Sequence, residues 1–292
     1  MKDAIRLEKQ EGVMIWKKDR LRPSQPFFVL KADAFFQEIY LRQGISHFYT
    51  LRLEEDTDIR VVPDGCIDLV FEYDGESMSG FAAGSALTWQ ESVWKGKKEY
   101  FGVRFMPGFH PAGITVVLKD LIDQKLPLED VWLDKESKLF QRISEQQDFY
   151  QRIRIFLEEY TKLENKKEKP FGKIELLMTV KNLVYDSDGL IKVSEMAEKT
   201  GYSERYINKV FIEQMGFSPK MFCKIIQFQR SLEFLNYGAP DKMTEAAVYL
   251  GFYDQAQFIK NFRTYAGITP KQYLKLIQSE KYKDKITSTS LL

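Results

Sequence analysis

The sequence has few of the side chains that usually hold metals or close disulfides. Its 292 residues include two cysteines and two histidines. Cys66 and Cys223 lie far apart in the chain and, together with His47 and His110, show no metal-ligand spacing. These absences predict free thiols in a reducing compartment, with neither a metal site nor a disulfide framework.

Long apolar runs and catalytic signatures are absent as well. No stretch of about 18 apolar residues occurs, so we expect no membrane span. The first residues, MKDAIRLEKQEG, contain no apolar segment of the kind found in signal peptides, and we expect a cytoplasmic protein. Nucleophile elbow, P-loop and dinucleotide fingerprint are all missing, which favours a protein that is not an enzyme and needs no cofactor.

The net charge of +1 conceals an asymmetry between the two halves of the chain. Residues 165–292 contain 20 Lys and Arg against 14 Asp and Glu, whereas residues 1–164 contain 23 against 28. A basic segment suits contact with a polyanion. The distribution therefore indicates that a nucleic acid would meet the C-terminal half.

The pattern of residues changes twice along the chain. From Phe27 to about residue 114, short β-branched and aromatic runs such as "IRVVPDGCIDLVFEY" predict an antiparallel β unit. Residues 115–162 have a helical period, and the charged segment "KLENKKEKP" then ends this half. After it, the pattern predicts helices at about 171–185, 193–200, 204–215, 219–237, 243–250, 254–265 and 270–280.

These patterns predict an α+β protein with two domains. The first covers residues 1–162, a linker follows at 163–170, and an all-α domain occupies 171–282. The last residues, 283–292, are expected to form a disordered tail.

One sequence pattern occurs twice in the C-terminal half. "GYSERYINKVFIEQMGFSP" begins at Gly201, and "GFYDQAQFIKNFRTYAGITP" begins at Gly251. The apolar and turn residues correspond between the copies, whereas the polar residues differ. Each copy predicts a helix, a glycine turn and a second helix capped by Ser203 or Asp254, which is the helix-turn-helix pattern.

The second helix of each copy has a polar face opposite its apolar face. Arg, Asn, Gln and Lys on such a face match base edges in the major groove or phosphates at its rim. A single polar face is more often simply solvated, but two in matched contexts favour DNA reading. The residues predicted to bind DNA are Ser203, Arg205, Asn208, Lys209, Gln255, Gln257, Lys260 and Arg263.

A long helix is predicted between the two copies, in "KMFCKIIQFQRSLEFLNYG". About 18 helical residues span roughly 27 Å. That length suits two reading helices placed about one DNA turn, roughly 34 Å, apart on one face of a duplex.

Residues from about 172 to 280 resemble the C-terminal DNA-binding domain of AraC-type (AraC/XylS) transcription regulators. The family pattern "GF.d.s.F...Fk...G.tP..y" corresponds here to "GFYDQAQFIKNFRTYAGITPKQY". The resemblance implies base contacts from Arg205, Asn208 and Lys209 in the first reading helix. In the second it implies contacts from residues 255–257, Ile259 and Lys260. Ala256 and Ile259 depart from hydrogen-bonding types, which predicts weaker or more apolar reading by the second unit.

The N-terminal half, through "VPDGCIDLVFEY" and "FGVRFMPGFHPAG", resembles a module found on a subset of AraC-type regulators. This resemblance implies a domain that senses a small molecule, dimerises, or does both, and we expect a small barrel or cupin-like roll. Its aromatic residues are equally consistent with a plain core. The candidate ligand-binding residues are Tyr49, Phe71, Trp89, Trp94 and, as an anion anchor, Arg104.

The sequence thus predicts a sequence-specific, DNA-binding transcription regulator controlled by its N-terminal domain. Double-stranded DNA is the expected partner; a small-molecule effector, a second copy of the chain and RNA polymerase are further candidates. The helix at Phe149–Tyr160 would either pair two protomers or pack on its own sheet. The alternative function is an enzyme, a DNA-repair or small-molecule-modifying domain fused to a DNA-binding module.

Overall fold

The computed structural model describes residues 21–133, 138–166, 172–238 and 243–286, and the backbone alone of residues 7–10, 13–16 and 287–290. The fold class is α+β, as predicted, with β-structure concentrated in the N-terminal half and helices in the C-terminal half. No helix in the described ranges is long and apolar enough to cross a membrane. The predicted linker falls partly on residues 167–170, which lie outside the described ranges.

Short strands form much of the N-terminal half, and one more strand lies near the end of the described residues. They are β1 (Leu7–Gln10), β2 (Val13–Trp16), β3 (Ala34–Ile39), β4 (Ile45–Leu53), β5 (Thr57–Val61), β6 (Ile67–Tyr73), β7 (Met78–Ala83), β8 (Gln90–Trp94), β9 (Lys98–Phe105), β10 (Lys125–Pro127) and β11 (Thr287–Ser290).

The main sheet has the strand order β10-β7-β6-β9-β4-β3-β11. All neighbours in it are antiparallel except β11 and β3, which are parallel. β5 pairs with β8 and β1 with β2 in separate two-stranded ribbons. In the described pairings the sheet stays open at its two edge strands, β10 and β11, whereas a small barrel or cupin-like roll was expected for this half.

Among the described helices of the N-terminal half, the first is buried in the core on one face of this sheet and the other four cover the opposite face. They are α1 (Pro26–Lys31), α2 (Leu118–Leu121), α3 (Leu128–Val131), α4 (Leu139–Ser144) and α5 (Phe149–Lys166). Ile153, Phe156 and Tyr160 of α5 are buried in one core with strand residues such as Phe48 and Phe101. Of the two roles predicted for this helix, packing on its own sheet is therefore correct, and its apolar face is not free to pair protomers.

The C-terminal helices agree closely with the predicted ranges. They are α6 (Lys173–Asp186), α7 (Val193–Thr200), α8 (Glu204–Met215), α9 (Pro219–Tyr237), α10 (Met243–Tyr249), α11 (Gln255–Ala266), α12 (Pro270–Ser279) and α13 (Tyr282–Lys285). Gly201 and Gly251 have φ of +73° and +74°, a left-handed conformation that glycine adopts without strain. The glycine turns inferred from the repeat are thus present.

The disordered tail predicted for residues 283–292 was wrong over the described residues. The chain there forms α13 and then β11, which extends the sheet beside β3. Lys285 Nζ donates a hydrogen bond of 2.9 Å to the Leu30 carbonyl, which ties this segment to α1. The residues are polar and favour strand structure only because an unpaired sheet edge is available to them.

The two halves share a hydrophobic core. Phe28, Tyr49 and Trp94 of the first half lie in one buried cluster with Phe228 and Tyr273 of the second. Gln229 of α9 strengthens the contact, because its side-chain amide bonds both backbone groups of Ser24 and donates to the Pro63 carbonyl at 2.7 Å. The helical half therefore packs directly against the sheet domain.

Candidate DNA-binding surface and N-terminal cavities

The first helix-turn-helix unit consists of α7 and α8. Met196 of α7 and Ile207, Val210 and Phe211 of α8 are buried together, which fixes the angle between the two helices. The side-chain oxygen of Ser203 accepts a hydrogen bond from the Tyr206 amide at 3.2 Å and caps α8. The apolar face of α8 is thus buried inside the unit, as the helical spacing of its apolar residues predicted.

The polar face of α8 lies outward. Arg205 and Lys209 are exposed, and Asn208 is half-buried with its side-chain amide donating to the Glu204 carbonyl at 3.0 Å. Lys209 Nζ lies 3.8 Å from a carboxylate oxygen of Glu213, one turn further along. Arg205 has no ion pair within the described residues, so its guanidinium is available to a DNA base or phosphate.

The second unit, α10 and α11, repeats this arrangement. Phe258 and Phe262 of α11 are fully buried against Ala246 and Ala247 of α10, where the small side chains let the helices approach closely. Asp254 caps α11 by accepting a hydrogen bond of 2.7 Å from the Gln257 amide. The two units are therefore equivalent in fold.

The outward face of α11 differs from that of α8 in composition. Gln257, Lys260 and Arg263 are exposed and Gln255 is half-buried. Gln257 Oε1 accepts a hydrogen bond from the Tyr253 amide at 2.8 Å, so this side chain also braces the start of its helix. Its Nε2 donors remain for an external partner, whereas the oxygen is already engaged.

Two tyrosines that the sequence interpretation missed occupy equivalent places beside these helices. Tyr202 and Tyr253 immediately precede the capping residues Ser203 and Asp254, and their exposed fractions are 46% and 91%. An exposed phenol at the start of a reading helix can hydrogen-bond a phosphate. Their matching positions in the repeat were the signal that could have identified them.

Helix α9 joins the two units. Its 19 residues correspond to a length of about 28 Å. Ile225, Phe228, Leu232 and Leu235 are buried along it, and Arg230 bonds Asp188 at 2.9 Å. A connector that is packed along its length holds the two units in a fixed relation.

Two adjoining cavities lie beside the sheet, one within the N-terminal half and one between the two halves. The inner cavity, of about 170 Å³, opens among β5–β10 and contains Trp94 and Lys125 in its wall. The interface cavity, of about 220 Å³, lies where His47 of β4 approaches Asn236 and Tyr237 of α9. Both are lined by Gln25, Phe28, Tyr49 and Arg104.

The predicted ligand-binding residues divide between the cavities and other places. Tyr49, Trp94 and Arg104 line one cavity or both. Phe71 lines neither, because it faces the opposite side of the sheet and is buried in the core beneath α5. Trp89 also lines neither: it stacks on Arg60 at 4.7 Å and meets the turn at Gly267 between α11 and α12. These two residues therefore lie outside both cavities, and a ligand-binding role for them stays a prediction.

Arg104 is held by two carboxylates at the junction of the cavities. Its Nε and Nη2 donate to Asp68 at 2.9 and 2.7 Å, and Nη1 lies 3.3 Å from Asp64. Burial raises the pKa of Asp64 although Arg104 opposes the rise, and burial together with Arg104 lowers the pKa of His47 well below its usual value. An anionic ligand would have to displace a carboxylate from Arg104, so the geometry does not favour the predicted anion anchor.

Metal and thiol chemistry have little support in this region. No group of three or more potential ligands that could hold a metal ion occurs within the described residues. Both cysteines are buried and unpaired, and burial raises the pKa of the Cys66 thiol well above its usual value. A thiol in that environment is a poor nucleophile.

Family comparisons match both halves of the chain. Residues 196–276 match a helix-turn-helix domain family, and residues 39–127 match a domain of unknown function (DUF6597). The chain thus carries a helix-turn-helix domain at residues 196–276, where the repeat predicted one.

The similar proteins each match part of the length of this chain. An uncharacterized HTH-type transcriptional regulator of Staphylococcus aureus (strain MSSA476) is 30% identical over 83 residues, which cover 28% of this chain and 11% of that protein. The Msm operon regulatory protein of Streptococcus mutans serotype c is 25% identical over 133 residues, 45% of this chain and 47% of that protein. The match thus spans about a tenth of the staphylococcal regulator and about half of the streptococcal one.

Solved structures are similar to this chain over different shares of its length. A probable AraC family transcriptional regulator from Rhodopseudomonas palustris CGA009 is 27% identical, with 35% of this chain and 95% of that chain covered and a TM-score of 0.32. ToxT from Vibrio cholerae is 12% identical, with 84% and 99% covered and a TM-score of 0.42.

Proposed function

We propose that this protein is a sequence-specific transcription regulator whose helices α8 and α11 enter two adjacent major-groove segments of one DNA duplex. The observation that carries the proposal is the duplicated unit: both helices have equivalent caps, buried apolar faces and exposed basic or amide side chains. Helix α9, about 28 Å long, suits a separation near one DNA turn.

The exposed side chains divide into two roles under this proposal. Arg205 and Asn208 of α8, with Gln255 and Gln257 of α11, have the donors and acceptors that read base edges. Lys209, Lys260 and Arg263 are suited to phosphates at the groove rim, where they set affinity and make it salt-dependent. Ser203 contributes mainly by capping α8, and its hydroxyl proton remains available for a phosphate.

The second unit has fewer ways to read bases than the first. Ala256 is exposed and Ile259 half-buried on α11, and each offers only an apolar contact to a thymine methyl group. The oxygen of Gln257 is engaged within its own helix. We therefore assign the stricter base discrimination to α8.

Control of DNA binding is assigned to the N-terminal domain. The interface cavity is lined by both domains, including Tyr49 from the sheet and Asn236 from α9, so a molecule bound there would contact both. Such a ligand shifts the relation of the domains only if it binds one arrangement more tightly than another. A second copy of the chain and RNA polymerase remain predicted partners.

Selection from random duplex DNA tests the proposal. We expect enriched sequences with two conserved segments whose centres lie about 10 base pairs apart. The Arg154→Ala variant should select the same sequences, because Arg154 is an exposed residue of the sheet domain. Recovery of no preferred sequence at any salt concentration would refute sequence-specific binding.

A further inference from the structure

The inner cavity already contains an ammonium group that belongs to the protein itself. Lys125 is an exposed residue of the short edge strand β10, but its Nζ lies 4.5 Å from the ring centre of Phe81 and 4.6 Å from that of Trp94. Ser92 Oγ accepts a hydrogen bond from it. No ion pair of Lys125 occurs within the described residues, so attraction to the ring faces and one hydroxyl hold the ammonium.

The charge of the cavity wall favours a cation. Its lining includes the carboxylates of Asp64, Asp68, Glu91 and Asp123 but only two cationic side chains, Arg104 and Lys125. Arg104 is already neutralised by Asp64 and Asp68. If Lys125 left, these carboxylates would outnumber the remaining cation of the wall, Arg104, beside two aromatic rings, although Glu91 is also paired with Arg60.

One polar group in the wall lacks a partner. Trp94 Nε1 is buried and makes no hydrogen bond within the described residues. Its side chain lines the inner cavity and is 3% exposed. Buried donors without acceptors are costly, and a ligand that carries an acceptor atom would satisfy them.

We propose that the inner cavity is a binding site for a small alkylammonium compound that bears a hydrogen-bond acceptor, and that its cation takes the place of the Lys125 ammonium on Phe81 and Trp94. The acceptor would meet Trp94 Nε1. A volume of about 170 Å³ restricts the ligand to a few non-hydrogen atoms.

This site would give the proposed sensing domain its ligand class, and its regulatory meaning rests on the proposed function. Glu91 in the cavity wall lies 3.5 Å from Arg60, and Arg60 Nη1 donates to the Ala266 carbonyl at the end of α11. A cation near Glu91 would compete with Arg60 for that carboxylate. The cavity is thereby connected to the second reading helix through two contacts.

The test uses n-butylammonium, which reproduces the side chain of lysine, and measures its binding to the full-length protein by calorimetry without DNA. In Lys125→Ala the place on the rings is vacated, and we expect affinity at least about tenfold above that of the wild type. 1-Butanol, of similar shape but uncharged, should bind Lys125→Ala about tenfold more weakly than butylammonium does.

Two further variants keep the test decisive. Adding Phe81→Leu to Lys125→Ala should abolish the gain, whereas adding Phe140→Leu, a half-buried aromatic outside the cavity wall, should leave it intact. Equal binding of butanol and butylammonium, no gain in Lys125→Ala, or no effect of Phe81→Leu would each overturn the site. Because DNA is absent, failure here is separate from failure of the DNA-binding proposal, which the selection experiment measures.

Discussion

Under the proposed function, Arg205 is the residue on which we expect base discrimination by the first unit to depend most. It is exposed on the outer face of α8, and a guanidinium there can make two parallel hydrogen bonds to a guanine. Lys260 on α11 is also exposed but is a point charge suited to phosphate. The two side chains therefore differ in what their loss would change.

Arg205→Ala is expected to relax discrimination at one position of the first DNA segment by about 1–3 kcal/mol. Lys260→Ala should instead weaken binding to all sequences and reduce the dependence on salt. Titration of matched and single-base-substituted duplexes at two salt concentrations separates these effects. A uniform loss in Arg205→Ala would mean that Arg205 contacts phosphate and not a base.

Arg104 illustrates what a sequence pattern reveals about a single residue. Its position in a β-rich run indicated a place near a pocket, and it does line both cavities. Its partners could not be read from the sequence because the register of β6 on β9 brings Asp68 directly opposite it across 36 residues of chain. That pairing neutralises the charge that suggested an anion anchor.

At the scale of elements, the capping residues define where the two repeated helices, α8 and α11, begin. Asp254 bonds the first-turn amide of Gln257, as Ser203 bonds that of Tyr206. A carboxylate at the start of a helix is also stabilised by the helix dipole. Each cap thus fixes where a reading helix begins and which residues face outward.

Asp254→Ala should destabilise the helical half by about 1 kcal/mol, because the amide it satisfied becomes unpaired. Asp254→Ser should retain most of that stability. Urea unfolding followed by circular dichroism provides the measurement, with Asp284→Ala, in the short helix α13, as a matched control. Equal midpoints for Asp254→Ala and the wild type would show that the cap contributes nothing.

Helices α6–α12 were predictable to within about two residues, whereas helix α13 and strands β10 and β11 were not predicted. Glycine turns, Ser or Asp caps and proline at the start of α9 and α12 are local signals. β10 and β11 lie at the edges of the sheet and contain three and four residues. Their strand structure depends on a partner distant in the chain, which no local pattern reveals.

At the scale of the whole molecule, the close docking of the two halves is the main addition to the sequence interpretation. The basic C-terminal half suggested a DNA-binding domain behind a linker. The structure adds a shared core and specific polar contacts, such as those of Gln229 and Arg60. These contacts join residues more than 160 positions apart, so the repeat and the composition could not predict them.

Arg60→Ala should loosen the end of α11 without affecting the first unit. It removes the hydrogen bond to the Ala266 carbonyl and the stacking on Trp89. A loss of about 1 kcal/mol predicts roughly fivefold faster hydrogen exchange in α11 and α12, while α7 and α8 keep their rates. Unchanged exchange in α11 would exclude Arg60 as a link between the domains.

The central claim is that α8 and α11 read one face of a single duplex at a fixed separation. Inserting five base pairs between the two selected DNA segments rotates the second segment to the opposite face of the duplex. The affinity of the protein for this interrupted duplex tests the claim most directly. We predict at least about a tenfold loss relative to the uninterrupted site, approaching the affinity for a site whose second segment is scrambled. Undiminished binding to the interrupted site would contradict the claim.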